Sequence, residues 1–170
     1  IFFLQESLNW TTKASSGTLV VVGIIAIVVQ GGLIGPLVKR FGEMRLTLIG
    51  SGFILVACSL LITAPKENAT INIYTAVSFL AVGAGLITPT LRALISKKLD
   101  VDKQGSILSN LQGLQSLGGV LGIAMAGRVY DSFGPKSPFI AGSIILIFMI
   151  YLIAEGKNNN SFNDQKSKVL

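Results

Sequence analysis

The chain has 170 residues, 51% of them hydrophobic and 13% charged, with a mean hydropathy of +0.68. It is too apolar and too poor in charge for a soluble domain of this length and belongs in a bilayer. The net charge of +6 does not point to nucleic acid, because the cations gather in short segments between apolar runs and form no basic face along a helix.

Residues 1–4 (IFFL), followed by Gln5, Glu6 and Trp10, fit the last turns of a helix leaving the membrane, with Trp10 at the aromatic interface. The chain opens on Ile1 with no basic region before it and no cleavage signature after it, so a fragment lacking its beginning is expected. Residues 11–16 form a short polar connection. Five apolar runs bounded by charge, Pro or Gly then predict complete transmembrane helices over 17–38, 46–64, 73–96, 106–127 and 138–154. The first is free of charge over 22 positions, roughly 33 Å of helix against a hydrocarbon core of about 30 Å. Residues 155–170 are polar and asparagine-rich and are expected to form a disordered tail.

Five crossings put successive connections on alternate sides. One side holds Lys39, Arg40, Arg45, Lys97, Lys98, Lys103, Lys157, Lys166 and Lys168; the other holds Lys13, Lys66, Arg128 and Lys136. The richer side is cytoplasmic by the positive-inside rule, and the C-terminus lies there. Arg92 sits within a span about one turn from its cytoplasmic end, from which it can snorkel outward. Sequons at Asn9, Asn68 and Asn159 are patterns too common to carry weight.

The spans differ in their surroundings. The second and fifth are apolar almost all round and are expected at the periphery. In the fourth, Gln112, Gln115, Ser116, Gly119, Gly122 and Ala126 fall within roughly a 120° arc, at about 100° per residue. That stripe suits helix packing or the lining of a polar path, and Gly118, Gly119 and Gly122 favour packing. The third span carries Thr75, Ser78, Val82, Gly85, Pro89 and Arg92 at three- and four-residue spacing, with Thr88 and Thr90 beside them. Pro89 is expected to kink it. Gln30 is the amide of the first span expected to face inward. The candidate substrate path is therefore Gln30, Ser78, Thr88, Gln112, Gln115 and Ser116.

The five spans contain no Asp, Glu or His, and the single cysteine, Cys58, is expected to be packing. No catalytic residues, metal site or cofactor are expected, and the chain is not read as an enzyme.

Between the first two spans, Gly35, Leu37, Arg40, Gly42 and Arg45 sit as G-x-L-x-x-R-x-G-x-x-R, which resembles the tight loop between paired helices in the major facilitator superfamily. The family's N-terminal copy has an acidic residue where this chain has Lys39, which points to the C-terminal copy. Downstream, Pro89, Leu91, Ala93, Leu94, Ile95 and Ser96, then Gln104 and Gly105, then Leu111, Gln112, Leu114 and Ser116 into Gly127 and Tyr130, resemble the drug:proton antiporter branch, which includes tetracycline efflux proteins. That branch often has Gly-Pro where this chain has Gly122-Ile123.

The resemblance implies an all-α integral membrane fold: five complete transmembrane helices plus the end of a sixth, the C-terminal half of an inverted three-helix-repeat transporter, in residues 1–154. It also places the second and fifth spans outside. It implies proton-coupled efflux of small amphipathic compounds by alternating access, as a monomer, in a bacterial inner membrane. The partners would be the lipid bilayer, a missing N-terminal half, the substrate and protons, with no nucleic acid. Gly35, Arg40, Gly42 and Arg45 are candidate gating residues. The coupling carboxylate is expected in the missing half, or else at Glu6. The alternative is a non-transporting membrane anchor, receptor or assembly subunit.

Overall fold

The computed structural model describes residues 12–63, 69–97 and 101–167. Every element among them is helical: α1 (Thr12–Val28), a π-helical turn (Val29–Leu33), α2 (Ile34–Phe41), α3 (Glu43–Thr63), α4 (Ala69–Ser96), α5 (Val101–Phe133) and α6 (Ser137–Ser167). The expectations for residues 1–10, including Glu6, Trp10 and Asn9, and for Asn68 lie outside the described residues.

Among the described residues, four stretches are long and apolar enough to cross a membrane: Ser16–Phe41, Glu43–Thr63, Thr70–Ser96 and Ser137–Glu155. The expected span over 106–127 lies within α5, which is ample in length at 33 residues. Its glutamines, serines and glycines leave it less apolar than the other four.

The first span is continuous in direction but not in winding. At Val29–Leu33 the helix widens, and the N–H of Ile34 reaches the carbonyl of Val29, five residues back. The wide turn holds Gly31 and Gly32 and precedes Pro36, which has no N–H to donate; a bulge is one way a helix accommodates such a residue. Gln30 sits on this turn. The helix then continues through Phe41, breaks at Gly42 alone, and restarts at Glu43. Gly42 has φ of 77°, a left-handed region that disfavours any side chain, and its N–H closes on Val38 O at 2.9 Å.

The centre of the structure is the contact of α3 with α4. A Cβ placed on Gly83 would stand 2.6 Å from Gly50 O and 2.6 Å from Ile54 Cγ1; one on Gly50 would stand 3.0 Å from Gly83 O. The two backbones therefore touch, as small residues permit in apolar surroundings where packing rather than water drives helix association. Beside them Thr47 and Thr90, both fully buried, bring their hydroxyls to 3.0 Å. Thr47 Oγ1 also donates to Glu43 O at 2.9 Å, and Thr90 Oγ1 lies 2.7 Å from Leu86 O. These buried hydroxyls are thus bonded, as burial demands.

Two apolar clusters flank this contact. Val29, Leu46 and Leu86 join the first span to α3 and α4 at one end, and Leu61, Ile73 and Ala76, with Phe139 of α6 against them, close the other. Cys58 is buried and free, in keeping with a packing role.

Three features differ from the sequence-based expectation. Helix α3, expected at the periphery, supplies Leu46, Thr47, Gly50, Ser51, Ala57, Cys58 and Leu61 to the interior, because its small residues fall on one face; Ile49 and Val56 stay exposed on the other. Helix α1 begins at Thr12, inside the stretch expected as a connection. Helix α6 runs to Ser167, so 155–167 are helical where a disordered tail is expected. A helix already nucleated in an apolar span is extended at little cost, and no proline follows Pro138 to stop it.

The Gly50–Gly83 contact gives a direct test. Gly83→Ala should lose about 1–3 kcal/mol through overpacking, and should lower the thermal unfolding midpoint of the detergent-solubilised protein. Gly52→Ala, with nothing within 4 Å of its Cβ, should leave that midpoint unchanged or raise it.

Candidate functional site

The α4 hydroxyls are arranged by the helix itself. Thr75 donates to Ile71 O at 2.8 Å and Ser78 to Tyr74 O at 2.7 Å, each back one turn. Thr88 makes no such bond among the described residues. Immediately after it, Pro89 lies inside the helix and leaves the carbonyl one turn earlier without its usual donor.

From this point to its end, one face of α4 opens onto a cavity of about 290 Å³. Ile87, Thr88, Leu91, Arg92 and Ile95 line it from α4, and Leu111, Leu114 and Gln115 from α5. These spacings are those of single helical faces. The wall is apolar except for Thr88, Arg92 and Gln115. Arg92 extends across to α5, where its Nη2 donates to Gln112 Oε1 and, at 3.3 Å, to Gln115 Oε1. Gln112 and Gln115, three residues apart, present both amide oxygens to one guanidinium. Ser116 is turned back on its own helix, donating to Gln112 O at 3.0 Å.

Of the six candidate path residues, the structure gathers Thr88, Gln112 and Gln115 at one place. Ser116 adjoins them through the backbone of α5. Ser78 lies ten residues before Thr88 on α4, roughly 15 Å along the axis, and does not line the cavity. Gln30 approaches α4 elsewhere, its Nε2 3.9 Å from the Cβ position of Gly85.

Gly118, Gly119 and Gly122 are exposed on α5, and a Cβ on any of them would meet nothing within 4 Å. Their candidate packing partner is not among the described residues.

The four candidate gating residues flank a second polar feature at the same end. Gly42 makes the turn; Arg40 lies 5.6 Å from the centroid of the Phe41 ring; Gly35 and Arg45 are exposed. Glu43, first residue of α3, pairs with Lys97 just beyond α4. The α2–α3 turn and the end of α4 therefore lie together at one end of the bundle, while the α3 C-terminus and the starts of α4 and α6 meet at the other.

Arg92 is the residue that the sequence reading set aside, expecting it to snorkel to the membrane edge. It reaches sideways to α5 instead, because two amide acceptors stand opposite it. The signal was present: Arg92 closes the polar stripe of α4 in a segment otherwise without charge, and an ionisable residue inside a span marks a functional position by default.

Residues 1–123 match the family model described as Major Facilitator Superfamily. The chain belongs to the major facilitator superfamily. It is an integral membrane protein of that family, and the G-x-L-x-x-R-x-G-x-x-R stretch is its single-residue turn at Gly42. The chain is 27% identical over 130 residues to "Tetracycline resistance protein, class C" of Escherichia coli, covering 76% of this chain and 32% of that protein. It is 30% identical over 148 residues to "Multidrug resistance protein 2" of Bacillus subtilis (strain 168), covering 85% and 35%. It is 22% identical over 131 residues to "Hippocampus abundant transcript 1 protein" of Homo sapiens, covering 77% and 26%. The chain thus spans about a third of the length of the curated relatives it matches. No solved structure matches it.

The Glu43–Lys97 pair is an edge contact in this major facilitator chain: the Lys97 side chain is 68% exposed against 12% for Glu43. A double-mutant cycle with Glu43→Gln and Lys97→Met, read by thermal unfolding, should return a coupling of about 0.2–1 kcal/mol that shrinks in high salt.

Proposed function

We propose that this chain is most of the C-terminal half of a secondary transporter that exports small amphipathic compounds by alternating access. The observation that carries the reading is the cavity between α4 and α5, apolar in its walls and furnished with a few convergent polar groups at Thr88, Arg92 and Gln115. Family membership and relatives named for tetracycline and multidrug resistance support it.

In this reading α5 also crosses the membrane, as the fourth of five spans in chain order. Its polarity is tolerated because its glutamine and glycine face meets a second, N-terminal half and not lipid, giving the inverted-repeat monomer of the family. The two lysine- and arginine-rich connections, brought together by Glu43 and Lys97, face the cytoplasm, and the C-terminus lies on that side of a bacterial inner membrane. The Gly42 turn, with Gly35, Arg40 and Arg45 around it, is the gate. The described spans hold no carboxylate deep in the membrane, so coupling to protons rests on an acid in the other half or on Glu6.

Cells with and without the native protein should differ in steady-state accumulation of an exported dye. Equal accumulation favours a membrane anchor, receptor or assembly subunit instead. Export that does not change with external pH removes proton coupling and leaves a facilitator.

Gly42→Val should slow transport several-fold while membrane insertion stays near normal, because a branched side chain at φ of 77° strains the one-residue turn. Wild-type transport in that variant removes the gating role.

A further inference from the structure

Among the described residues, the charge on Arg92 is met by neutral groups alone. Both of its partners are amide oxygens, and the residues lining the cavity include no carboxylate. An arginine within a span is costly, and such residues are paired, face a polar cavity or mark a substrate or ion path. The guanidinium has five N–H donors, and the bonds to Gln112 and Gln115 both use Nη2, so the Nε and Nη1 hydrogens remain. With their oxygens turned to Arg92, the two glutamines hold their amide N–H donors away from it, free to meet an acceptor. Thr88, one turn earlier on the same face, has a hydroxyl with no partner among the described residues. The polar end of the cavity is therefore rich in donors, and Ile87, Leu91, Ile95, Leu111 and Leu114 form an apolar chamber beside it.

We propose that this cavity binds the anionic head of an amphipathic substrate, a carboxylate or sulfonate, on Arg92 with Thr88 assisting, and lodges the apolar body against Leu91 and Leu111. The inference rests on the transport reading and narrows it to a substrate class. A carboxylate side chain from elsewhere in the protein would satisfy the charge and leave the apolar chamber unfilled; an amphipathic anion does both.

The test uses inverted membrane vesicles from cells expressing the native gene, loaded with two fluorescent probes on one apolar frame: anilinonaphthalene sulfonate, an anion, and N-phenylnaphthylamine, which is neutral. Wild-type vesicles should accumulate the sulfonate. Arg92→Gln should raise its half-saturating concentration about tenfold or more, the loss of a charge-assisted bond, and affect the neutral probe far less than the sulfonate. Arg92→Lys, which keeps the charge, should recover part of the loss.

Equal loss for both probes assigns Arg92 to holding α5 in place and overturns the inference, as does an Arg92→Gln variant that handles the sulfonate normally. Wild-type uptake of the neutral probe alone overturns the anion assignment and leaves the transport reading standing. Uptake of neither probe overturns both.

Discussion

The backbone contact between Gly50 and Gly83 is the constraint on which the rest of the structure depends. With α3 and α4 this close, and with Thr47 and Thr90 bonded beside them, the rotation of α4 about its axis is fixed. Thr90 must face α3. At about 100° per residue, Thr88 and Arg92 then lie together on nearly the opposite side of α4. The polar face of the cavity is thus set by a glycine contact earlier on the same helix, and Pro89 sits between the two faces where the helix loses a hydrogen bond.

Helix α5 is held differently. It is exposed along almost its whole length, and its ties to the rest are polar and terminal: Arg92 to Gln112 and Gln115, Gln104 Nε2 to Ser96 O at 3.1 Å, and the turn into α6. That turn is compact. Gly134, with φ of 88°, closes on Tyr130 O at 2.9 Å, and the Ser137 hydroxyl donates to carbonyls of the preceding helix end. A helix attached at its ends and by side chains can shift against α4 at lower cost than α3 can, because no interlocked backbone contact must first be broken. The α4–α5 boundary is therefore the compliant seam of the described structure, and the cavity lies on it.

Much of this was legible in the sequence where one signal dominated. Length and apolarity located four of the expected spans, and Gly42 among cations marked the turn, since only glycine is comfortable at its φ. Gln112 and Gln115 share a helical face by spacing and Thr88 adjoins the α4 stripe; the structure places Thr88 and Gln115 on one cavity wall, with Gln112 reached through Arg92. Other features depend on pairs of helices and leave no trace in one. Which face of α3 packs was hidden because nearly every position is apolar; the decisive residues, Gly50 and Ser51, are distinguished by size and by the glycine opposite. The π turn at Val29–Leu33 follows from Gly31, Gly32 and Pro36 acting jointly. Arg92 was misread because snorkelling considers a residue alone, whereas its course was decided by two amides more than five helical turns away in sequence.

The last turns of α4 show how charge is treated with depth. Lys97, at the edge, has a full counter-charge in Glu43 although water there already screens it. Arg92, further in and where compensation matters more, has amide dipoles alone as partners among the described residues. Stability alone would favour the reverse order, with the carboxylate spent on the deeper cation or the deeper cation replaced by a leucine. Proteins depart from such local economy where a site must stay ready for something else. Among the described residues, the guanidinium without a carboxylate and the Thr88 hydroxyl without a partner share one face of α4 and open onto the same apolar chamber, an arrangement that local stability does not require.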